Sequence, residues 1–227
     1  MTGMVIAVDG PSGVGKSTVC REVARRLGLS YLDTGATYRA AALTCLREGI
    51  DLVDHDGVAA AVETMNLEMR LDPDDPRVLL DGEDVSRDIR SEAVTAVVSE
   101  VAVNLEARAV LGRLQREIIA AETIGGRSGG AGIVAEGRDV TTHIAPDANV
   151  RVLLTADPEV RVARRAGEGV FETVARVRSS VLERDARDSA VRDFQTAADG
   201  VVEIDTTDLS VEEVAIAIVE LAAEAAP

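Results

Sequence analysis

The residues from Gly10 to Ser17 read Gly-Pro-Ser-Gly-Val-Gly-Lys-Ser, which fits the pattern Gly-x-x-x-x-Gly-Lys-Ser/Thr. Glycines in this pattern let the backbone curl so that its N–H groups point inward, and a following helix adds positive potential. Lys16 is the only lysine among 24 basic residues. A compact ammonium enters a narrow backbone cradle that a planar guanidinium does not fit. The segment therefore predicts a phosphate-binding loop.

The chemistry of such a loop predicts a role for each polar residue. Lys16 is expected to reach the β- and γ-phosphates of ATP, and the Ser17 hydroxyl to complete the shell of a phosphate-bound Mg²⁺. The alternative interpretation is a glycine turn with a surface lysine. The predicted ATP-binding residues are Gly10, Pro11, Ser12, Gly13, Val14, Gly15, Lys16, Ser17 and Thr18.

Two further polar clusters each follow a short apolar run. They are the sequences DTGATYR at 33–39 and EGRD at 136–139. Because ligands of open α/β sheets bind at the carboxyl ends of the strands, both clusters should lie beside the phosphate loop. Together they predict a second phosphate-bearing ligand that faces the first, although each arginine alone is compatible with an ordinary surface position. The candidate residues are Asp33, Thr34, Arg39, Arg138 and Asp139.

The elements that must position these residues alternate between short apolar runs and helical patterns, which is typical of a parallel α/β sheet. Strands are predicted at 4–9, 30–33, 132–137, 149–156 and 200–205. Helices are predicted at 16–28, 35–49, 91–103, 105–122 and 211–226. Asp157 and Pro158 predict another helix start, and Ser210 with Glu213 forms a capping-box pattern.

The pattern changes between about 50 and 95. Residues 67–71 and 77–85 predict short antiparallel strands with turns between them, which we interpret as an insertion into the α/β frame. The glycine-rich stretch 125–132 is interpreted as a flexible surface connection.

Composition excludes several classes of protein. The 227 residues suffice for one sizeable core. A net charge of −16, 2% aromatic residues and no tryptophan argue against binding to a polynucleotide. No apolar run approaches the roughly 20 residues that span a bilayer, and the start of the chain has no leader features, so a cytoplasmic protein is expected. Two cysteines, Cys20 and Cys45, with His55 and His143, predict core thiols and no zinc site.

The motifs together resemble bacterial cytidylate kinases, members of the nucleoside monophosphate kinase family of P-loop NTPases. The resemblance runs in order from about Met4 to Leu221 and includes LLDGEDVSRDIR at 79–90 and ERDARDS at 183–189. The segment 79–90 resembles the insert that separates these kinases from the shorter adenylate kinases. The implied fold is a three-layer, parallel five-stranded sheet with helices on both faces.

The resemblance also implies how the single domain is divided. A monophosphate-binding insert covers about 50–95, a short lid about 159–170, and a helix 171–187 follows the lid. The core then consists of about 1–49, 96–158 and 188–227.

Residue roles follow from the resemblance where the residues match. Arg39 is expected to grip the CMP phosphate, Ser99 and Arg108 to contact the cytosine, and Arg161 and Arg165 to close over the transferring phosphate. The implied catalytic residues are Lys16, Arg138, Arg161 and Arg165. The implied CMP-binding residues are Thr34, Arg39, Ser99, Arg108, Arg138, Asp139, Arg184 and Asp188. The chain departs from the family pattern after Asp188, where either Arg192 or no residue supplies a further arginine, and the lid is short.

The implied reaction is transfer of the ATP γ-phosphate to CMP or dCMP by a monomeric enzyme. The alternatives are another small-molecule kinase of this fold, acting on UMP, AMP or shikimate, and a non-catalytic nucleotide-binding module. A GTP-binding switch protein is excluded, because its Asn-Lys-x-Asp base reader requires a second lysine.

Overall fold

The computed structural model describes residues 3–168 and 196–225. The strands of this part of the chain are β1 (Met4–Asp9), β2 (Ser30–Asp33), β3 (Leu67–Arg70), β4 (Arg77–Leu80), β5 (Glu83–Asp84), β6 (Gly132–Gly137), β7 (Val150–Thr155) and β8 (Val202–Asp205). The α-helices are α1 (Lys16–Leu27), α2 (Thr34–Glu48), α3 (His55–Thr64), α4 (Glu92–Val103), α5 (Leu105–Ile124), α6 (Pro158–Glu168) and α7 (Val211–Glu224). A 3-10 turn at Asp88–Arg90 precedes α4, and a π-helical turn at Val140–Ile144 follows β6.

Five strands form one parallel sheet in the order β2-β6-β1-β7-β8. The strand β1 lies at the centre, between β6 and β7. All five carboxyl ends therefore meet at one edge of the sheet, which brings the loops after β1, β2 and β6 together. The predicted fold class and the five predicted core strands are confirmed.

Side chains of β1 alternate between the two faces of the sheet, as the two-residue period of a strand requires. Ile6 and Val8 pack against α1 and α7, whereas Ala7 belongs to the core cluster that includes Ile119 of α5. All three strand residues are fully buried. Burial of a Val or Ile side chain contributes about 1.5–3 kcal/mol to the free energy of unfolding. Since β1 packs against helices on both faces of the sheet, the same strand holds both helical layers.

Two predicted helix starts are confirmed by their caps. The helix α6 begins at Pro158, and the Asp157 carboxylate accepts a hydrogen bond from Glu159 N at 2.8 Å. At the start of α7, the Ser210 side chain accepts from Glu213 N, and the Glu213 side chain accepts from Ser210 N at 2.8 Å. This reciprocal pair is a capping box.

The predicted antiparallel strands form a second sheet in the order β3-β4-β5. Asp81 and Gly82 connect β4 to β5, and both have positive φ, 50° and 82°. Two left-handed residues make the tight turn that matches the twist of the paired strands.

The helix α3 was not predicted within the insert, where the sequence analysis identified only strands and turns. The Asp54 carboxylate caps it by accepting from Gly57 N at 3.0 Å. Val58 and Val62 pack into the cluster formed by α2, α4 and α5 rather than lying apart from it. The signal was present as apolar residues at helical spacing after a capping aspartate. The boundaries 50–95 for the insert stay a proposal, as do those of the lid.

The stretch 125–132, interpreted as a flexible connection, is organised by hydrogen bonds. The buried Glu122 carboxylate accepts from Arg127 N and Ser128 N, both at 2.9 Å, and from Ser30 Oγ at 2.6 Å. Glycines allow the chain to fold back over this carboxylate, so the connection has a defined shape.

Both cysteines are buried, and neither forms a disulfide, as expected. Among the described residues, no helix is long and apolar enough to cross a membrane. The predicted helix 171–187 lies outside the described residues.

Candidate active site

The phosphate loop joins β1 to α1 and depends on glycine for its path. Gly10, Gly13 and Gly15 have φ of 153°, 83° and 90°, a region that residues with a Cβ rarely adopt. A Cβ on Gly13 would lie 2.5 Å from the carbonyl oxygen of Arg161, and one on Gly10 would collide with that of Leu154. The loop is therefore packed against β7 at Gly10 and against α6 at Gly13.

The loop ends on the amino terminus of α1. Gly15 occupies the N-cap position, and among the described residues no side chain caps it. Since the first amides of a helix have no acceptor inside the helix, this end is suited to bind an anion.

Lys16 folds back over the loop that precedes it. Its Nζ donates to the carbonyl oxygens of Gly10 at 2.7 Å and Pro11 at 2.9 Å. These bonds place the ammonium against the concave side of the backbone. Contact between Lys16 and a phosphate stays a prediction. The position of the ammonium at the loop agrees with that prediction.

Two predicted arginines also contact the loop. Arg138 Nη1 lies 3.4 Å from the carbonyl oxygen of Gly10, and Arg161 Nη1 donates to that of Ser12 at 3.2 Å. Arg161 is buried because α6 packs directly on the loop, whereas a residue of a mobile lid is expected to be exposed. Arg165 lies one turn further along α6 and is exposed.

Glu136, the last but one residue of β6, is a site residue that the sequence analysis did not select. Its buried carboxylate accepts from the Tyr31 hydroxyl and forms a hydrogen bond with Ser17. Burial and repulsion by Asp33 raise the pKa of Glu136 to about 7, against the opposing effects of Lys16, Tyr31 and Ser17. The sequence did contain a signal for Glu136, since it is an acidic residue at the end of an apolar strand. Burying such a carboxylate is unfavourable unless polar groups surround it.

Asp9, at the end of β1, is a second residue that the sequence analysis did not select. Its carboxylate accepts from Val140 N at 3.0 Å, Thr141 N at 2.8 Å and Thr141 Oγ1 at 2.6 Å. These three bonds hold the turn that follows Asp139. Asp9 therefore fixes the path of the EGRD segment beside the phosphate loop.

The segment after β2 lies at the same edge of the sheet. Thr34 is buried, and its hydroxyl donates to the carbonyl oxygen of Glu136 at 2.7 Å. The Asp33 carboxylate caps α2 by accepting from Ala36 N at 3.1 Å, and its other oxygen lies 3.3 Å from Arg90 Nη2. The two predicted clusters are thus joined directly by a hydrogen bond between Thr34 and Glu136.

Arg39 points away from solvent, between α2, α4 and the 3-10 turn before α4. Its Nη1 donates to the carbonyl oxygen of Ile89 at 3.1 Å and to Thr95 Oγ1 at 3.0 Å. Ser99, the predicted cytosine contact, is buried one turn further along α4. The helix α4 therefore carries Ser99 and contacts Arg39 through Thr95.

Arg108 and Asp139 are brought together as an ion pair. Arg108 Nη2 lies 2.5 Å from Asp139 Oδ2, and Arg108 Nη1 donates to the carbonyl oxygen of Ala102 at 3.0 Å. The Arg108 guanidinium also lies 5.7 Å from the centre of the Tyr38 ring, within the range of a cation–π interaction. These three contacts on one guanidinium give Arg108 and Asp139 a fixed geometry, and their predicted contact with the base stays a prediction.

A cavity of about 330 Å³ opens on the outer side of the phosphate loop. Gly13, Gly15 and Thr18 line one side, and Thr206 and Leu209 line the other. Thr206 Oγ1 donates to the carbonyl oxygen of Val14 at 3.2 Å, which ties the wall of the cavity to the loop.

Some predicted residues are not part of this description. Arg184, Asp188 and Arg192 lie outside the described residues. Within the described part of the chain, no group of three or more His, Cys, Asp or Glu side chains could hold a metal ion.

Comparison with known proteins gives consistent matches along the chain. A family model described as cytidylate kinase matches residues 6–224. A cytidylate kinase of Streptomyces griseus is 42% identical over 221 residues, which cover 97% of this chain and 93% of that protein. A cytidylate kinase of Cutibacterium acnes is 44% identical over 220 residues, covering 96% and 95%.

A solved structure of an uncharacterized protein from Eubacterium ventriosum is similar in fold, with a TM-score of 0.51. It is 10% identical, and the match covers 97% of this chain and 98% of that chain. The family assignment depends on the sequence matches. With its phosphate loop, its second cluster at the same sheet edge and these matches over nearly all of its length, the chain belongs to the cytidylate kinase family.

Proposed function

We propose that the protein transfers the γ-phosphate of ATP to CMP or dCMP, producing ADP and CDP or dCDP. Membership of the cytidylate kinase family supports this reaction. The structural observation that carries the proposal is the meeting of two clusters at one sheet edge. Arg138, from the cluster after β6, lies 3.4 Å from Gly10 of the phosphate loop. A phosphate held by the loop is then adjacent to one held by the arginines.

On the ATP side, the loop amides and Lys16 bind the β- and γ-phosphates. The amine exchanges its bonds to the Gly10 and Pro11 carbonyls for phosphate oxygens when the nucleotide enters. The cavity of about 330 Å³ beside Gly15 and Thr18 is adjacent to the loop and has the apolar and hydroxyl lining that suits an adenine base.

On the CMP side, Arg39 and Arg138 bind the monophosphate, with Arg184 as a further contact. Ser99, Arg108 and Asp139 recognise the cytosine or its sugar. Thr34 and Asp188 complete the binding site, from the start of α2 and from the segment after the lid.

Transfer occurs by in-line attack of a CMP phosphate oxygen on the γ-phosphorus. The new bond joins this oxygen to the γ-phosphorus, and the bond from the γ-phosphorus to the bridging oxygen of ADP breaks. The attacking oxygen is already ionised at neutral pH, so the protein need not supply a nucleophile or a strong base. Lys16, Arg138, Arg161 and Arg165 stabilise the charge on the equatorial oxygens through fixed positions.

The donor set near the loop fits Mg²⁺, which prefers hard oxygen ligands. The Ser17 hydroxyl lies in a hydrogen bond with Glu136, and Asp33 is close enough to raise the pKa of that carboxyl. We propose that Ser17 is a direct ligand. Mg²⁺ held there by Ser17 together with ATP would supply positive charge that offsets the charge of the phosphates.

Water must be excluded while the phosphate is transferred, because it would otherwise hydrolyse ATP. We propose that closure of the lid at 159–170 and of the insert at 50–95 provides this exclusion.

We also propose a monomeric, cytoplasmic enzyme with ATP and CMP as its partners. The net charge of −16 disfavours a polynucleotide or an anionic membrane surface as partner. Two buried, free cysteines suit a reducing compartment.

The test is the release of ADP from MgATP by the purified protein with CMP, dCMP, UMP and AMP compared at equal concentrations. We expect CMP and dCMP to give the highest kcat/KM. A preference for UMP or AMP would assign another kinase activity to the fold. ATP binding with no monophosphate-dependent ADP release would instead indicate a non-catalytic module.

A further inference from the structure

Among the described residues, Ile89 and Thr95 both accept hydrogen bonds from the side chain of Arg39. Ile89 offers a main-chain carbonyl oxygen and Thr95 a side-chain hydroxyl, at 3.1 Å and 3.0 Å from the same Nη1 atom. An arginine has many rotamers, and fixing one of them has an entropic cost. These contacts offset that cost within the fold itself.

Thr95 itself is rigidly placed. It lies in the first turn of α4, where the Ser91 side chain caps the helix by accepting from Val94 N at 3.4 Å. Its own amide donates to the carbonyl oxygen of Ser91 at 3.0 Å. A hydroxyl on a capped first turn moves little, and it therefore gives Arg39 a fixed acceptor.

Thr95 and Ser99 are four residues apart on α4, so they lie on the same face of the helix, about one turn or 6 Å apart. Ser99 is buried and is proposed to contact the base, whereas Thr95 contacts the arginine proposed to bind the phosphate. One helix face thus serves both ends of the monophosphate.

We infer that Thr95 is a positioning residue for the monophosphate substrate, acting through the guanidinium of Arg39. This inference rests on the proposed function, in which Arg39 binds the CMP phosphate. Thr95 accepts a hydrogen bond from Nη1 and thereby turns the guanidinium toward the phosphate. The Ile89 acceptor is part of the main chain, whereas the Thr95 hydroxyl is a side-chain acceptor that substitution can remove.

The test is steady-state kinetics of Thr95→Val, which keeps the shape of the side chain and removes the acceptor. We expect KM for CMP to rise about five- to tenfold, as for loss of one hydrogen bond of typical strength. The kcat and KM for ATP should stay within about twofold of the wild type. Thr95→Ser restores the hydroxyl and should restore KM for CMP.

A matched control is Thr44→Val. Thr44 is a buried threonine of α2, and its hydroxyl donates to the carbonyl oxygen of Ala40 at 3.1 Å. This variant removes a buried hydroxyl without touching Arg39, and KM for CMP should not change.

A second readout separates positioning of the phosphate site from general damage. Cytidine lacks the phosphate and is used as a competitive inhibitor against CMP. Its inhibition constant should be the same for the wild type and Thr95→Val, because the lost contact acts only on the phosphate.

An unchanged KM for CMP in Thr95→Val would overturn the inference, and so would an equal weakening of cytidine. If the wild type neither binds nor phosphorylates CMP, the proposed function fails and this role fails with it. An active wild type with an unaffected Thr95→Val leaves the proposed function intact and rejects only the role of Thr95.

Discussion

Charged side chains around the phosphate loop are held in place by the loop itself. Lys16, Arg138 and Arg161 each contact a carbonyl oxygen of the loop. Donors that are ordered in advance need little reorganisation when charge develops on the transferring phosphate. In the proposed reaction these carbonyl contacts are exchanged for phosphate oxygens, so the hydrogen bonds of the loop hold the cations close to the positions in which we propose that they act.

At this scale we predict that Lys16→Ala lowers kcat by about 100-fold or more, the range found when one preorganised donor is removed from a transition state. The fold should persist, because the two carbonyl oxygens to which Nζ donates, those of Gly10 and Pro11, belong to the loop itself. The measurement is kcat together with the melting temperature. Lys16→Arg is the companion variant and should also be slow, since a guanidinium does not fit the cradle. Near-normal turnover of either variant contradicts the role of Lys16.

The roles of the residues in the phosphate loop could be predicted, because all of them lie in one short segment of the chain. Glu136 was not selected, because its importance arises from Tyr31 and Ser17, which lie more than 100 positions away in the chain. Asp9 was likewise missed, since its partners Val140 and Thr141 come close only when β6 pairs with β1. Contacts of this kind follow from strand pairing rather than from spacing.

At the scale of elements, the phosphate loop and α6 form one packed unit. Gly13 has a φ of 83°, and its Cα faces the Arg161 backbone. The helix α6, predicted as the start of a lid, is therefore also a support for the loop. Caps and strand periodicity made the core elements predictable, whereas α3 was missed because short helical patterns in a mixed segment are ambiguous.

We predict that Gly13→Ala lowers both stability and ATP binding. The new Cβ would lie 2.5 Å from the Arg161 carbonyl oxygen, so either the loop or α6 must move. The control is Gly28→Ala, which has a similar φ of 66° but no atom within 4 Å of its Cβ. It should lose only about 1–2 kcal/mol, the penalty of the left-handed conformation. A smaller loss of melting temperature and of ATP affinity in Gly13→Ala than in Gly28→Ala would refute this packing.

The connection after α5 makes the stability of the fold depend on pH through the Glu122 carboxyl. Burial would raise the pKa of Glu122, but hydrogen bonds from Ser30, Ser128 and Arg127 outweigh it and lower the pKa below its ordinary value of 4.5. A carboxyl with a lower pKa in the folded state stabilises the fold above its unfolded pKa, and this stability is lost as the pH falls through the folded value.

Glu122→Gln should therefore lower the free energy of unfolding by about 1–3 kcal/mol at pH 7, since an amide cannot accept all of these bonds. The difference from the wild type should shrink as the pH falls below 4.5. Urea unfolding at several pH values measures this, with the exposed Glu117→Gln on the same helix as control. A difference that is constant with pH would show that the carboxylate charge is not involved.

At the scale of the whole molecule, the parallel sheet collects the functional segments and the helical layer adds the second half of the site. The phosphate loop, Asp33, Thr34 and Arg138 lie at one sheet edge, where β1, β2 and β6 end, whereas Ser99 and Arg108 come from α4 and α5. Sequence analysis predicted the sheet because its strands are short, apolar and regularly spaced. It did not show that Arg108 meets Asp139, because this ion pair depends on how α5 packs against the sheet.

The most direct measurement is a crystal structure of the protein with CMP and a non-transferable analogue of ATP bound together. The account predicts the CMP phosphate within hydrogen-bond distance of Arg39 and Arg138, facing a terminal phosphate held by Lys16. It would be contradicted by CMP bound elsewhere, for example in the larger cavity of about 650 Å³ between the insert and the end of α5, lined by Arg70 and Arg127.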